Sequence, residues 1–209
     1  MIKQMSFQDY SKIKALNFSR FKCFLENKKP EDIKKTQSMI VGSIVHEALL
    51  EPLVFKKKIG HYKVLLTKKE WANLEAVLDK MLADNDLKKI VEAHHPEQCF
   101  FNTHNQTKIK SRIDGYNKIS IFDLKTIGFA RNISKNISDF LYVEQLAFYA
   151  YNYYLEFKRI PRAFIIFIEV SEPYDFKYVS INKRELEVKI NFVKRQIDAY
   201  ASSELDKQE

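Results

Sequence analysis

The sequence predicts an α/β fold: a central mixed sheet in the order α-βββ-α-β, with extra helices at the N-terminal and C-terminal ends. Three observations predict it. Residues 97–103, 107–116 and 119–126 form three period-two runs joined by short turns, the pattern of consecutive antiparallel strands. Segments at 67–93, 139–157 and 183–201 have the apolar spacing of helices. Between the last two, AFIIFIEV at 163–170 is a short continuous apolar run, as expected of a strand buried on both faces.

The elements follow in order. Ser6 and Ser11 are both candidate N-caps for a helix that starts near residues 7 to 12 and reaches about Glu26, closed off by Pro30. A second helix fits 38–51 (SMIVGSIVHEALLE), with Pro52 marking its end. From Thr67 to about Ala93, apolar residues at 71, 74, 77, 78, 81 and 82 make a helical stripe, broken near Asp84-Asn85-Asp86. After the three strands come a helix from about Asp139 to Phe157, the 163–170 strand and another strand at 176–181. Asn182 then caps a final amphipathic helix. The expected organisation is one domain over 1–209, with a helical part at about 6–95, a sheet-containing core at about 96–182 and a C-terminal helix from 183 to about 203.

Composition sets the broad class. Of 209 residues, 45% are hydrophobic and 13% aromatic, enough for a sizeable core. With only 4 Gly and 5 Pro, no stretch has the composition of a flexible linker. Two cysteines, Cys23 and Cys99, exclude a disulfide framework or a four-cysteine cluster within the chain and point to a reducing, cytoplasmic setting. The longest apolar run is too short to span a membrane, and MIKQMSFQDY lacks the apolar core of a signal peptide. A net charge of +8 favours polyanionic partners, of which nucleic acid is the commonest in cells.

The stretch KIKSRIDGYNKISIFDLKT, residues 108 to 126, places charges where a sheet core is expected. With a two-residue turn at Asn117-Lys118, Tyr116 faces Ile119, Asp114 faces Ile121 and Arg112 faces Asp123. Asp114, Asp123 and Lys125 then share one sheet face, with the two carboxylates as diagonal neighbours about 7 Å apart. Carboxylates so placed can hold a hard divalent cation between them. The alternative is a surface hairpin carrying an Asp–Lys salt bridge. Against it, Ile119, Ile121, Phe122, Leu124, Ile127 and Phe129 cover both faces, and a buried charge needs a partner or a metal.

Other residues carry open alternatives. His46 on an apolar helix face is either a satisfied core residue or a ligand. Gly42, one turn earlier on the same face, would let that helix approach other backbone closely. Glu97 is either a ligand or a solvated strand start after Pro96, and the adjacent His94 and His95 read as surface. Gln145 and Tyr149, at i and i+4, share a helix face either at the site or in ordinary packing. Arg20 and Lys22 lie on the first helix, whose basic face is either solvated or a phosphate contact.

An acidic residue (Asp114) followed by a strand reading Asp-x-Lys (Asp123-Leu124-Lys125), in this order of elements, resembles the PD-(D/E)xK nuclease superfamily and its restriction-endonuclease-like core. Gln145 and Tyr149 in YVEQLAFYAYNYY match the Gln-x-x-x-Tyr pattern of RecB-like nucleases. GSIVHEALLEP resembles the Gly-x-x-x-His-x-x-x-x-Glu-Pro segment of RecE-type phage exonucleases, relatives of exonuclease VIII and lambda exonuclease. FIEVSEPY and SKIKALNFSRFKCFLENK are also similar to that family, and together the likenesses span about residues 6 to 182. Ile113 stands where the superfamily name has Pro.

The resemblance implies a Mg²⁺- or Mn²⁺-dependent exonuclease with two ions per site. It would digest linear double-stranded DNA 5′ to 3′ from its ends and leave 3′ single-stranded tails for recombination by strand annealing. In this reading Asp114, Asp123 and the backbone carbonyl of Leu124 are metal ligands. His46 is a further ligand suited to Mn²⁺, and Glu97 an additional acidic one. Lys125 orients or activates the attacking water or neutralises phosphate charge. Gln145 and Tyr149 support the site, and Arg20 meets the 5′-phosphate. The implied partners are DNA ends and a single-strand annealing protein, with no membrane. A homo-oligomer, a trimeric or tetrameric ring, is expected in a bacterial, phage or prophage setting. An endonuclease on the same fold and a non-catalytic DNA-binding relative are the alternatives.

Overall fold

The computed structural model describes residues 1–32 and 36–205. The three-strand run folds as β2 (His95–His104), β3 (Thr107–Tyr116) and β4 (Ser120–Ile127), followed after two helices by β5 (Arg162–Glu169) and β6 (Phe176–Ser180). A short β1 (Ile2–Lys3), which alternation over two residues cannot announce, pairs with β2. The described strands form a six-stranded sheet in the order β1-β2-β3-β4-β5-β6. Every pairing is antiparallel except β4 with β5. That parallel pair needs a crossover, which α7 (Ile133–Asp139) and α8 (Tyr142–Phe157) supply. The predicted α/β architecture is the one observed.

The N-terminal part differs in detail. The expected first helix is two, α1 (Phe7–Lys12) and α2 (Phe18–Leu25), capped by Ser6 and Asn17, whose side chains accept from the backbone N–H groups of Asp9 and Arg20. The break has a backbone cause. β3 runs on past its pairing with β4, and the Leu16 backbone takes up the exposed edge: Leu16 N donates to Lys108 O at 2.9 Å and Lys110 N to Leu16 O at 2.8 Å. α3 (Gln37–Leu50) matches its prediction, but Pro52 starts a helix as well as ending one. It sits at the first position of α4 (Pro52–Leu65), where its missing N–H costs nothing. α5 (Lys68–Ala83) opens on a Thr67–Glu70 capping box, and Asp84 caps α6 (Asn85–Glu92) at the predicted break. Asn182 accepts from Arg184 N at the start of α9 (Lys183–Leu205). Among the described residues no helix is long and apolar enough to cross a membrane.

Two apolar layers flank the sheet. Phe21 of α2, Leu146 and Phe148 of α8 and Ile190 and Val193 of α9 pack on one side with Ile121 and Phe167. Ile44 and Val45 of α3, with Leu74 and Leu78 of α5, pack on the other with Phe122, Leu124 and Ile166. The β3–β4 hairpin turns one residue later than expected. Asn117 N donates to Ser120 O, so Lys118 and Ile119 form the turn, and the register pairs Tyr116 with Ile121 and Gly115 with Phe122. The Asn117 side chain accounts for the shift: its Oδ1 accepts from Ile119 N, Ser120 N and Ser120 Oγ, an acceptor role at the turn entrance. His94, read as surface, is half-buried beneath this turn. Its ring meets Ile90 O at 2.7 Å and Ser120 Oγ at 2.8 Å and lies edge-on to Phe122. His95 is exposed.

Gly115 gives Phe122 its space. A Cβ there would lie 2.1 to 2.7 Å from three atoms of the fully buried Phe122 ring. Gly115→Ala is therefore expected to lose about 1–3 kcal/mol of stability by overpacking, read from the urea midpoint, with partial recovery in a Gly115→Ala, Phe122→Leu double variant. An unchanged midpoint would mean that the two residues do not share this contact.

Candidate active site

β3 and β4 pair at only two positions and then part. The site lies where the pairing stops. Asp114 is the next residue of β3, and its Oδ2 accepts from Leu124 N of β4 at 2.6 Å, replacing the missing ladder bond with a carboxylate. The pair is therefore not the diagonal pair of an unbroken hairpin face. Asp114 is turned towards α3 and β2, where His46 and Glu97 lie, while Asp123 is turned towards α8.

On the first side, three ligand-capable atoms of His46, Glu97 and Asp114 all lie within 4.8 Å of one another. His46 Nε2 is 3.4 Å from Asp114 Oδ2 and 2.6 Å from the carbonyl oxygen of Leu124, and Nδ1 is 3.8 Å from Glu97 Oε1. α3 reaches this position because Gly42 lies against β4: a Cβ at Gly42 would come within 3.0 Å of Thr126 Oγ1. Glu97 is buried, not a solvated strand start, and adopts a left-handed backbone with φ 53°. Arg112 forms an ion pair with its other oxygen, with Nε 2.9 Å from Glu97 Oε2 but not aligned as a hydrogen bond, while Nη2 donates to Glu51 Oε2 at 2.8 Å. The hairpin register expected Arg112 beside Asp123; the later turn removes that contact.

On the second side, Lys125 Nζ lies 2.6 Å from Asp123 Oδ2. Gln145 Nε2 donates to Asp123 Oδ1 at 3.1 Å and to Tyr149 OH at 2.8 Å, so the i, i+4 pair on α8 does line the site. Lys125 Nζ also sits 5.2 Å from the Tyr142 ring centroid, a cation–π distance.

Burial dominates the electrostatics. It pushes the Asp123 carboxyl up to about 6, against the pull of Lys125, and raises Asp114, with the Glu97 carboxylate adding to the effect. Burial alone would depress His46 and Lys125. Asp114 and Glu97 override it and lift His46 to about 9, and Asp123 and Asp114 keep Lys125 above its ordinary value. Lys125 is thus a protonated donor at neutral pH, whereas His46, protonated beside these carboxylates, must give up a ring proton to an incoming ion before it can ligate.

The donor chemistry fits a divalent ion. One imidazole, two carboxylates and a backbone carbonyl converge, a mixed N/O set accepted by Mn²⁺ and, through its oxygens, by Mg²⁺. Ligands across a metal at roughly 2.1 Å each are about 4.2 Å apart, so the 4.8 Å group needs only slight contraction around an ion.

Arg20 lies apart from these residues, exposed on α2. It lines a cavity of about 340 Å³ with Lys12, Lys14, Asn17, Tyr10 and Lys110 among its walls. Lys110 is held there by the carbonyls of Tyr10 and Ile13, each at 2.7 Å. Sequence reasoning did not single out Arg112, Glu51 or Tyr142. Arg112 is two residues from Asp114 on β3, Glu51 is the glutamate of the Glu-Pro step after α3, and Tyr142 is one turn before Gln145. Glu51 and Tyr142 were within reach of spacing arguments, whereas the expected hairpin register set Arg112 beside Asp123.

Against known proteins, residues 9–208 match the family model described as a PDDEXK-like domain of unknown function (DUF3799). A crystal structure from Eubacterium rectale, named as a "putative exonuclease", superposes with TM-score 0.75 at 16% identity, covering 94% of this chain and 85% of its own. At that identity the likeness concerns the fold. A second solved structure, SSO0001, gives TM-score 0.34 at 16% identity over 87% of this chain and 85% of its own, and carries no argument. No curated protein matches the sequence significantly. With the match running over nearly its whole length, the chain belongs to the PDDEXK-like DUF3799 family.

Proposed function

We propose that this protein is a divalent-metal-dependent DNA exonuclease that digests linear duplex 5′ to 3′ from its ends. The observation that carries the reading is the convergence of His46, Glu97, Asp114 and the Leu124 carbonyl beside the Asp123–Lys125 pair. Buried acids in such number are costly unless a cation compensates them.

Asp114, His46, Glu97 and the Leu124 carbonyl would hold the principal ion, and Asp123, with Asp114, a second. Such ions activate water and neutralise charge on the scissile phosphate. Lys125, held protonated, orients the attacking water by donating to it and offers positive charge to a phosphate oxygen. Gln145 fixes the Asp123 carboxylate through Oδ1, and Tyr149 fixes Gln145. Tyr142 caps the Lys125 ammonium.

End dependence is supported by the basic cavity around Arg20. Lys110 and Asp114 are four residues apart on β3, a separation of about 13 Å along an extended strand. The cavity thus lies within a few nucleotides of the carboxylates and suits a terminal phosphate. A strand-annealing protein and a closed ring of copies are the partners this activity would use. The +8 net charge agrees with a polyanionic substrate.

The test offers linear duplex with 5′-phosphate or 5′-hydroxyl ends and a covalently closed circle, each with Mn²⁺. The expected result is loss of the linear DNA, faster from phosphorylated ends, with the circle intact. Arg20→Ala should erase the preference for phosphate. Cutting of the closed circle at the linear rate would identify an endonuclease instead.

A further inference from the structure

We propose that Arg112 is a positioning residue for the metal centre: it braces the Glu97 carboxylate against Glu51 and so presents the free Glu97 oxygen to His46 and Asp114. The inference rests on the reading that Glu97 ligates the ion.

The geometry divides the two Glu97 oxygens between different tasks. Oε2 faces Arg112 Nε at 2.9 Å, and Oε1 faces His46 Nδ1 at 3.8 Å, within the ligand group. The Arg112 side chain is only 13% exposed and lies between two acids, with the Phe7 ring 5.7 Å from its guanidinium carbon. Glu51 directly follows α3, the helix that carries His46. One guanidinium therefore ties the end of the histidine helix to the strand that carries the carboxylate, across β3. The spread of charge matters: a planar guanidinium carries its charge over three nitrogens and can lie against two carboxylates at once, whereas an ammonium offers a single centre.

Glu97 also needs holding. Its φ of 53° lies in the left-handed region, which a residue with a Cβ keeps only when its surroundings fix it. It lies opposite Asp114 at a gap in the β2–β3 ladder, between the pairs Pro96↔Gly115 and Gln98↔Ile113. Without Arg112 the backbone is free to relax and carry Oε1 out of the ligand group. A residue that orients a metal ligand in this way typically accounts for about 10–100-fold in metal affinity.

The test is a double-mutant cycle read by Mn²⁺ binding to the protein alone, followed by electron paramagnetic resonance or calorimetry without DNA. Arg112→Met is expected to weaken Mn²⁺ by about 10–100-fold. In a Glu97→Gln background the same change should alter affinity by less than about twofold, because Arg112 acts through Glu97. Arg112→Lys should fall between Arg112→Met and wild type. If Arg112→Met fails to fold, Arg112→Lys in both backgrounds supplies the cycle. Wild-type Mn²⁺ affinity in a folded Arg112 variant overturns the proposal, as does an equal loss in both backgrounds. Wild-type affinity in Glu97→Gln itself overturns instead the assignment of Glu97 as a ligand, so the two failures are distinct.

Discussion

Asp123→Ala is expected to lower the rate of DNA cleavage on the order of a thousandfold, the several kcal/mol that a metal-assisted site supplies to its transition state, while duplex binding stays near wild type. Asp123 is 1% exposed and takes an ammonium on one oxygen and an amide on the other. Burial has pushed its carboxyl up to about 6, so the fold bears an electrostatic cost to keep an acid there. A change to Ala removes that cost along with the chemistry. The partners left behind, Lys125 and Gln145, are only partly buried and can turn to water. Circular dichroism and a urea titration should therefore find a folded protein. Cleavage within tenfold of wild type would remove Asp123 from the site.

The second large effect separates proton and charge work from metal binding. Lys125→Met should lower cleavage by about 10²–10⁴-fold, the range for loss of a positioned proton donor or acceptor, with Mn²⁺ affinity changed little. The ammonium touches Asp123 and the Tyr142 ring but none of the atoms in the His46, Glu97 and Asp114 group. His46→Ala should show the reverse order, with metal affinity falling first and cleavage following it. A Lys125 variant that lost Mn²⁺ in parallel with activity would place the ammonium's role in assembling the metal site.

How much of this was legible in the sequence depends on whether the signal was periodic or geometric. The three strands, α3 and the helices over α5–α6, α8 and α9 were, because each carries a full period of apolar residues. α4 was hidden by Pro52, which ends one helix and begins the next with the same ring. The break between α1 and α2 was hidden because its cause is non-local: Leu16 covers the edge of β3, remote in sequence.

At the site, Asp114, Asp123 and Lys125 stood out as charges in an apolar hairpin. Gln145 and Tyr149 stood out by their spacing. What alternation could not give was the parting of β3 from β4, which sends Asp114 towards α3 and Asp123 towards α8. Nor could it give the left-handed Glu97, since no residue type announces a strained backbone. Arg112 escaped notice because a turn placed one residue too early assigned it to the wrong neighbour.

The central claim is that these buried acids exist to hold a divalent ion for phosphodiester cleavage. It is tested most directly by incubating linear duplex DNA with the purified protein in Mg²⁺, in Mn²⁺ and in excess EDTA. The account predicts cleavage with one or both metals and none in EDTA, restored when metal is added back. Cleavage that persists in EDTA, or no cleavage with either metal, would contradict it.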